Sequence, residues 1–348
     1  YGRGTQDMKG ADAITATTLL RLHAEGYKPA RDLIVAFTAD EEGGKSNGVD
    51  WLLKNHRDLV DGEYVLNPDG GGPVLHDGKP YLIDLSASEK AYGDYRVTAT
   101  NPGGHSSLPR PDNAIYEVTD ALAKLQHYTF PLELNPVTRA HFEQMAKLET
   151  GQRAADMRAL LQTPPNRAAA ERLSQDPNLN SILRTTCVTT RLQAGHANNA
   201  LPQTAVANVN CRIFPGHTRE QIRQELIRIF NDPKLKVEYI ADNGDAAPKA
   251  PDAGAQAPPP VRPDLLQAAQ EGSRRFFNGA PVVPEMEAGA SDNIYTTAAG
   301  IPSYQMGPVA VDEDDVRAHG KDERIRITAF NTGVDFYYFL LKALTGGR

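Results

Sequence analysis

Along this chain the apolar and polar positions change rhythm twice. Over residues 1–91, strand-like and helix-like runs alternate. Apolar residues at Ile14, Leu19, Leu20 and Leu22 predict a helix that enters through the glycine-rich opening segment and ends at Gly26. The run 33–38, LIVAFT, is nearly continuous apolar sequence with no helical period, and predicts a strand buried on both faces. A second helix is predicted over about 47–55, with Val49, Leu52 and Leu53 on one face, followed by a short apolar strand in GEYVLNPDGGG at 62–72. Strand, helix and strand in this order predict a parallel βαβ unit with a right-handed crossover.

From about residue 92 the pattern changes. DYRVTATN at 94–101 alternates as a half-buried strand does, and a helix is predicted through 114–125. A polar stretch rich in Ala and Arg, 138–173, reads as a helical insert. Two alternating strands, 185–193 and 204–214, lead to a helix at 218–230 and a strand at 236–241. The order βα(insert)ββαβ is a split βαβ layout, an α+β ferredoxin-like domain with helices on one face of an antiparallel sheet. The insert reads as an enlargement of this domain. Residues 244–263, rich in Ala, Asp and Pro, read as a linker unable to form a regular core element. Beyond it lie a predicted helix at 263–277, a short strand within 300–308, and a closing helix over 323–345 with aromatics on its buried face. The α/β domain therefore resumes, and the expected division is 1–91, 92–243 and 244–348.

With 348 residues, 40% of them hydrophobic, the chain can bury a large core. A net charge of −7 supplies no attraction for nucleic acid or an anionic membrane, and no apolar run reaches the roughly 18 residues a membrane span requires. Neither class of partner is expected. Cys187 and Cys211 are too few for a disulfide framework or a zinc-thiolate site. They lie on consecutive predicted strands and read as buried free thiols, with a cross-strand disulfide as the alternative.

Acids recur at the ends of the predicted elements of the α/β domain: Asp7 before the first helix, Asp40, Glu41 and Glu42 after the first strand, Asp69 after the next. In open α/β sheets ligands collect beyond the carboxyl ends of strands. Three adjacent acids packed together require protonation or a cation. With His319 near the end of the chain, these make an oxygen and imidazole donor set, which suits zinc, with cobalt or manganese as substitutes. A carboxylate shared between two cations lets them sit close together, as two-metal hydrolases require. Taken singly, each residue reads as a cap or a surface acid.

Seven motifs in order resemble the dinuclear zinc peptidases and deacylases that include glutamate carboxypeptidase, aminoacylase, dipeptidases and succinyl-diaminopimelate desuccinylase. They are G-R-G-T-Q-D-M-K-G at 2–10, T-A-D-E-E-G-G at 38–44, N-P-D-G-G-G at 67–72, N-P-G-G-H-S-S at 101–107, N-A-L-P at 199–202 with Arg212, G-A-S-D at 289–292, and H-G-K-D-E at 319–323. The resemblance implies an α/β catalytic domain, a mixed sheet with flanking helices, carrying an inserted lid and dimerisation domain. It implies two zinc ions bridged by Asp7, with Glu42 and Asp69 each holding one and His319 completing the second site. Glu41 is then the general base, and His105 reaches from the inserted domain to stabilise the oxyanion. Asn199, Arg212 and Ser291 take the substrate, with Asn198 an alternative to Asn199.

The expected activity is hydrolysis of an amide bond in a small peptide or N-acyl amino acid with a free carboxylate. An N-acyl-amino-acid deacylase or desuccinylase is the alternative, and a catalytically impaired binding relative a further one. The family's lid domain pairs in homodimers; the helical insert instead suits a monomer closing on itself. One departure stands out. The family's first metal site takes a histidine from an upstream H-x-D motif, and none of the nine histidines here stands in that context. Tyr1 leads straight into a glycine-rich motif, so the N-terminal part of the catalytic domain is expected to be missing. A signal peptide there would direct the protein to the periplasm or outside the cell; without one it is cytoplasmic.

Overall fold

The computed structural model describes residues 1–42, 46–241, 243–251 and 256–347. Helix α1 (Lys9–Ala24) buries Ile14 and Leu22, as the apolar spacing predicts. Residues 33–38 form no strand. Ile34 and Phe37 there are 49% and 59% exposed, against the expectation of a strand buried on both faces. Among the described residues no ladder reaches this segment, and a strand without a ladder leaves its backbone groups to water. The predicted βαβ unit is therefore absent. Helix α2 (Gly48–Asn55) is started by Asn47, whose side-chain oxygen accepts the Asp50 N–H at 3.0 Å. The single turn α3 (Arg57–Val60) leads into β1 (Val65–Asn67).

Next come β2 (Gly72–His76), β3 (Lys79–Glu89), β4 (Ala91–Thr100) and β5 (Gly104–His105). The turn between β1 and β2 admits only glycine at position 72: its φ is +100°, and a Cβ would lie 2.4 Å from the Gly307 carbonyl oxygen. Strand β3 has no counterpart in the sequence reading, yet the first sheet is built on it.

Helices α4 (Ala114–His127), α5 (Pro136–Leu148), α6 (Gly151–Leu160), α7 (Arg167–Leu173) and α8 (Pro177–Ile182) follow. Then come β6 (Thr186–Ala194), β7 (Ala200–Leu201), β8 (Thr204–Ile213), α9 (Arg219–Phe230), β9 (Lys236–Ile240) and β10 (Ala246–Ala247). The chain closes with α10 (Pro263–Phe276), β11 (Val282–Glu287), α11 (Asn293–Ala298), β12 (Ser303–Gln305), β13 (Val311–Asp312) and α12 (Ile327–Thr345).

In the mixed first sheet, β3 runs parallel to β11 and antiparallel to β2 and β12. Strands β1 and β13 lie parallel to β12 and β2. Ile83 and Leu85 of β3 pack with Val283 and Met286 of β11 and Phe336 and Leu340 of α12. Phe142, Met157, Leu160 and Leu183 of the helical insert are fully buried in the same core, and α5 lies against β11. The insert thus covers the first sheet and does not enlarge the second domain. Lys90, fully buried at the crossing into that domain, donates to the carbonyls of Ser181 and Arg184 at 2.8 and 2.9 Å, anchoring the end of the insert.

The second sheet is antiparallel in the order β10-β9-β4-β8-β6. Helices α4 and α9 cover one face, where Tyr95, Val97, Val209 and Leu226 form a separate core. The other face is polar, with Asp94 accepting from the side-chain amides of Asn208 and Asn210 at 3.0 and 2.9 Å. This is the expected split βαβ layout. Strand β10, pairing with Tyr239 and Ile240, shows that the predicted linker does contribute a regular element; its residues 252–255 lie outside those described. No helix among the described residues is long and apolar enough to cross a membrane.

Cys187 and Cys211 stand directly opposite each other on β6 and β8 and are bonded, which corrects the reading of free thiols. The register that brings them together is set by a loop between the strands and is invisible in sequence spacing. The crosslink closes a 24-residue separation. Reduction is expected to lower stability by about 2–4 kcal/mol. A fall in the denaturation midpoint with dithiothreitol, matched in Cys211→Ser, checks this; equal midpoints would refute it.

Candidate metal centre

Asp7 ends the loop that enters α1, Glu42 follows the irregular segment 33–38, and His319 lies in the loop before α12. The fold brings all three together. His319 Nε2 sits 2.6 Å from Asp7 Oδ2 and 2.7 Å from Glu42 Oε1. One ring nitrogen carries at most one proton and cannot satisfy two carboxylates at those distances. Three ligand atoms, all within 4.8 Å of one another, therefore converge as donors to a cation do. The two acids also raise the His319 pKa, Glu42 first through its hydrogen bond and charge, then Asp7.

Glu41 and Asp69 complete the acidic group. Burial pushes the Glu41 carboxyl up to about 7, reinforced by the charges of Asp69, Asp292, Glu42 and Asp7. Burial, with Asp7, Asp292, Glu42 and Glu89, likewise brings Asp69 to about 7. Carboxylates crowded to this degree repel one another, and hard oxygen donors with one imidazole suit a divalent ion. The residues present thus fit the metal site the sequence implies, with Asp7, Glu42 and His319 converging and Asp69 beside them. The glycines at 43 and 44, part of the same motif, lie outside the described residues.

Asp292 has no role in the sequence reading. In the structure it accepts from Asn47 Nδ2 at 2.6 Å and from Thr38 Oγ1 at 3.4 Å, clamping both sides of the Glu41–Glu42 turn. Ser291, expected at the substrate, is buried, and its hydroxyl is committed elsewhere. It donates to Glu89 Oε1 at 2.6 Å and accepts from Gln305 Nε2 at 2.9 Å and from the Asn293 N–H at 3.1 Å. Glu89 also takes the Ser291 N–H at 2.9 Å. Glu89 gave no signal in sequence, because it ends the strand that the apolar pattern did not reveal.

The inserted domain carries the remaining candidates apart from this group. His105 on β5 pairs with Ala200 on β7, which puts it beside Asn199; the Ser106 N–H donates to the Asn199 carbonyl at 3.0 Å. His105 Nδ1 is 2.8 Å from Ser107 Oγ, and among the described residues no hydrogen bond or ion pair joins it to the acidic group. Arg212, on the polar face of the second sheet, has its guanidinium 5.0 Å over the Tyr92 ring. Tyr92 in turn donates to Asp94.

Comparison with known proteins follows this geometry. Residues 1–343 match the family model described as peptidase family M20/M25/M40. Among curated relatives, a probable carboxypeptidase S-like 2 of Dictyostelium discoideum is 29% identical over 98% of this chain and 65% of its own length. An N-fatty-acyl-amino acid synthase/hydrolase of Xenopus tropicalis is 26% identical over 98% of this chain and 66% of its own. The chain thus spans slightly under two thirds of these relatives. Among solved structures, an M20 family metallo-carboxypeptidase of Sulfolobus solfataricus shares the fold with a TM-score of 0.66 at 17% identity. That match covers 99% of this chain and 77% of the other.

Proposed function

We propose, from the premise that this chain belongs to peptidase family M20/M25/M40, that it acts as a metal-dependent hydrolase. Its substrate is a small peptide or N-acyl amino acid with a free carboxylate, and its cations are two zinc ions, replaceable by cobalt or manganese. The observation that carries this reading is the convergence of Asp7, Glu42 and His319 beside a Glu41 whose carboxyl lies near 7.

In this reading Asp7, Glu42 and His319 would hold one ion, and Asp69, with Asp7, would contribute to the other; when bound, the ions would supply Lewis acidity and lower the pKa of water to about 7. Glu41, beside these ligands but not among them, takes a proton from the attacking water. Water oxygen bonds to the carbonyl carbon, the C–N bond breaks, and Glu41 returns the proton to the leaving nitrogen. His105, with Asn199 beside it, donates to the carbonyl oxygen as it gains charge; both stand at the opposite end of β8 from Arg212, so a second copy of the chain supplies them while the Arg212 guanidinium grips the free carboxylate.

The N-acyl-amino-acid reading is favoured by the named activity of the Xenopus tropicalis relative; the carboxypeptidase reading by that of the Dictyostelium discoideum one. Turnover of the zinc-loaded full-length protein on dipeptides against N-acyl amino acids separates them, and no turnover on either would sink the proposal. Arg212→Ala is expected to raise KM about 10- to 100-fold, the loss of a charge-assisted hydrogen-bonded grip. The same change should leave a substrate with an amidated carboxylate unaffected. Equal effects on both would remove Arg212 from the site.

The inserted domain also supports a homodimer. β6 is the free edge of its sheet, with Val188 and Leu192 58% and 50% exposed. An exposed apolar edge strand is a template for pairing with a second chain. Light scattering should give twice the chain mass for the wild type and a monomer for Leu192→Glu; a monomeric wild type rules this out.

A further inference from the structure

The metal centre depends on two loops from opposite ends of the chain, neither of which has regular structure to hold it. Asp7 ends one, and His319 stands in the other with φ at +61°, a left-handed conformation that a non-glycine residue keeps only where its surroundings fix it. Glu323 binds the two loops together. Its side chain is only 2% exposed, and its carboxylate is directed at the backbone of the Asp7 loop. Oε2 accepts the Gly4 N–H at 2.9 Å, and Oε1 accepts the N–H groups of Gln6 at 2.9 Å and of Asp7 itself at 3.0 Å. Arg3 Nη1 lies 3.4 Å from Oε2. The carboxylate is an acceptor enclosed by donors.

On its own side Glu323 belongs to the His319 loop, and its carbonyl takes the Gly2 N–H at 2.9 Å. A second stitch runs through Gln6, whose Nε2 donates to the Asp315 carbonyl at 3.2 Å and whose Oε1 accepts the Arg317 N–H at 2.6 Å. Fixing the Asp7 nitrogen fixes the start of the side chain whose Oδ2 ends 2.6 Å from His319 Nε2.

We infer that Glu323 is a positioning residue: its carboxylate, seconded by Gln6, sets the spacing of Asp7 and His319 and so the cation affinity of their shared site. The inference rests on the metal-centre reading above. An amide in place of the carboxylate keeps one oxygen, so its NH2 must face either the Gly4 N–H or those of Gln6 and Asp7, a donor against donors. The loops would keep their sequence contacts but lose their register.

The test strips metal from the full chain and titrates cobalt(II), with visible absorption reporting coordination and circular dichroism reporting fold. Glu323→Gln is expected to bind cobalt about 10- to 100-fold more weakly, as loss of an outer partner does, with an altered absorption band. Gln6→Ala is expected to weaken binding in the same direction by less, with the fold intact. Cobalt affinity and spectrum equal to wild type in a folded Glu323→Gln overturn the inference while leaving the metal centre standing. If Glu323→Gln does not fold, an unchanged affinity in Gln6→Ala overturns it in the same way. A wild type that binds no cobalt removes the metal-centre reading, and this inference with it.

Discussion

Glu41→Gln is expected to lower kcat by about 10²- to 10⁴-fold while leaving bound metal at the wild-type level. General-base assistance contributes about that factor, equivalent to some 3–5 kcal/mol of barrier. The glutamine keeps the volume and a hydrogen-bonding oxygen but cannot take a proton. Metal should survive because Glu41 is not among the converging ligand atoms, which belong to Asp7, Glu42 and His319. Its neighbours Asp69, Asp292, Glu42 and Asp7 are acids, so removing its charge also relieves repulsion within the group. The discriminating measurement pairs kcat with metal content by elemental analysis on the same preparation. Loss of metal with activity would make Glu41 a ligand; undiminished kcat would remove it from the chemistry.

Much of this centre was legible in the chain because its residues sit in short motifs at the ends of elements. Asp7, Glu42 and His319 were each named from sequence, and the fold joins them. What was not legible depends on partners far away in sequence. The run 33–38 has the composition of a buried strand but no ladder among the described residues, and composition cannot supply one. Strand β3 escaped notice because Asp84, Ser86 and Ser88 interrupt its apolar residues, although one face packs on the core. The helical insert looked like part of the domain that surrounds it in sequence, yet the apolar faces of α5 to α8 are spent on the first sheet. Glu323 lay within a quoted motif with no role, since its value comes from donors at the opposite end of the chain. Cys187 and Cys211 show the same limit: that they lie on neighbouring strands can be read, and the register that bonds them cannot.

Glu42→Gln is the converse of Glu41→Gln, and the two adjacent positions divide proton transfer from metal holding. Glu42 Oε1 shares the His319 nitrogen with Asp7, so its loss leaves two ligand atoms where three converge. Weakening of at least about 100-fold is expected, the upper end of what even outer-shell changes produce. The consequence for stability can be stated in advance. A cation present at 100 times its dissociation constant stabilises the folded wild type by about 2.7 kcal/mol; with affinity reduced 100-fold, the same concentration stabilises the variant by only about 0.4 kcal/mol. Without metal the order should reverse or close, because Glu42 is one of the charges that raise Glu41 and Asp69, and the neutral glutamine removes that repulsion. Thermal unfolding with and without zinc thus gives a two-sided signature: a metal-free variant at least as stable as the wild type, and a zinc-dependent gain that nearly vanishes. A variant that is less stable without metal and retains the full zinc gain would show Glu42 to be a structural acid, and the centre would have to be rebuilt around other donors.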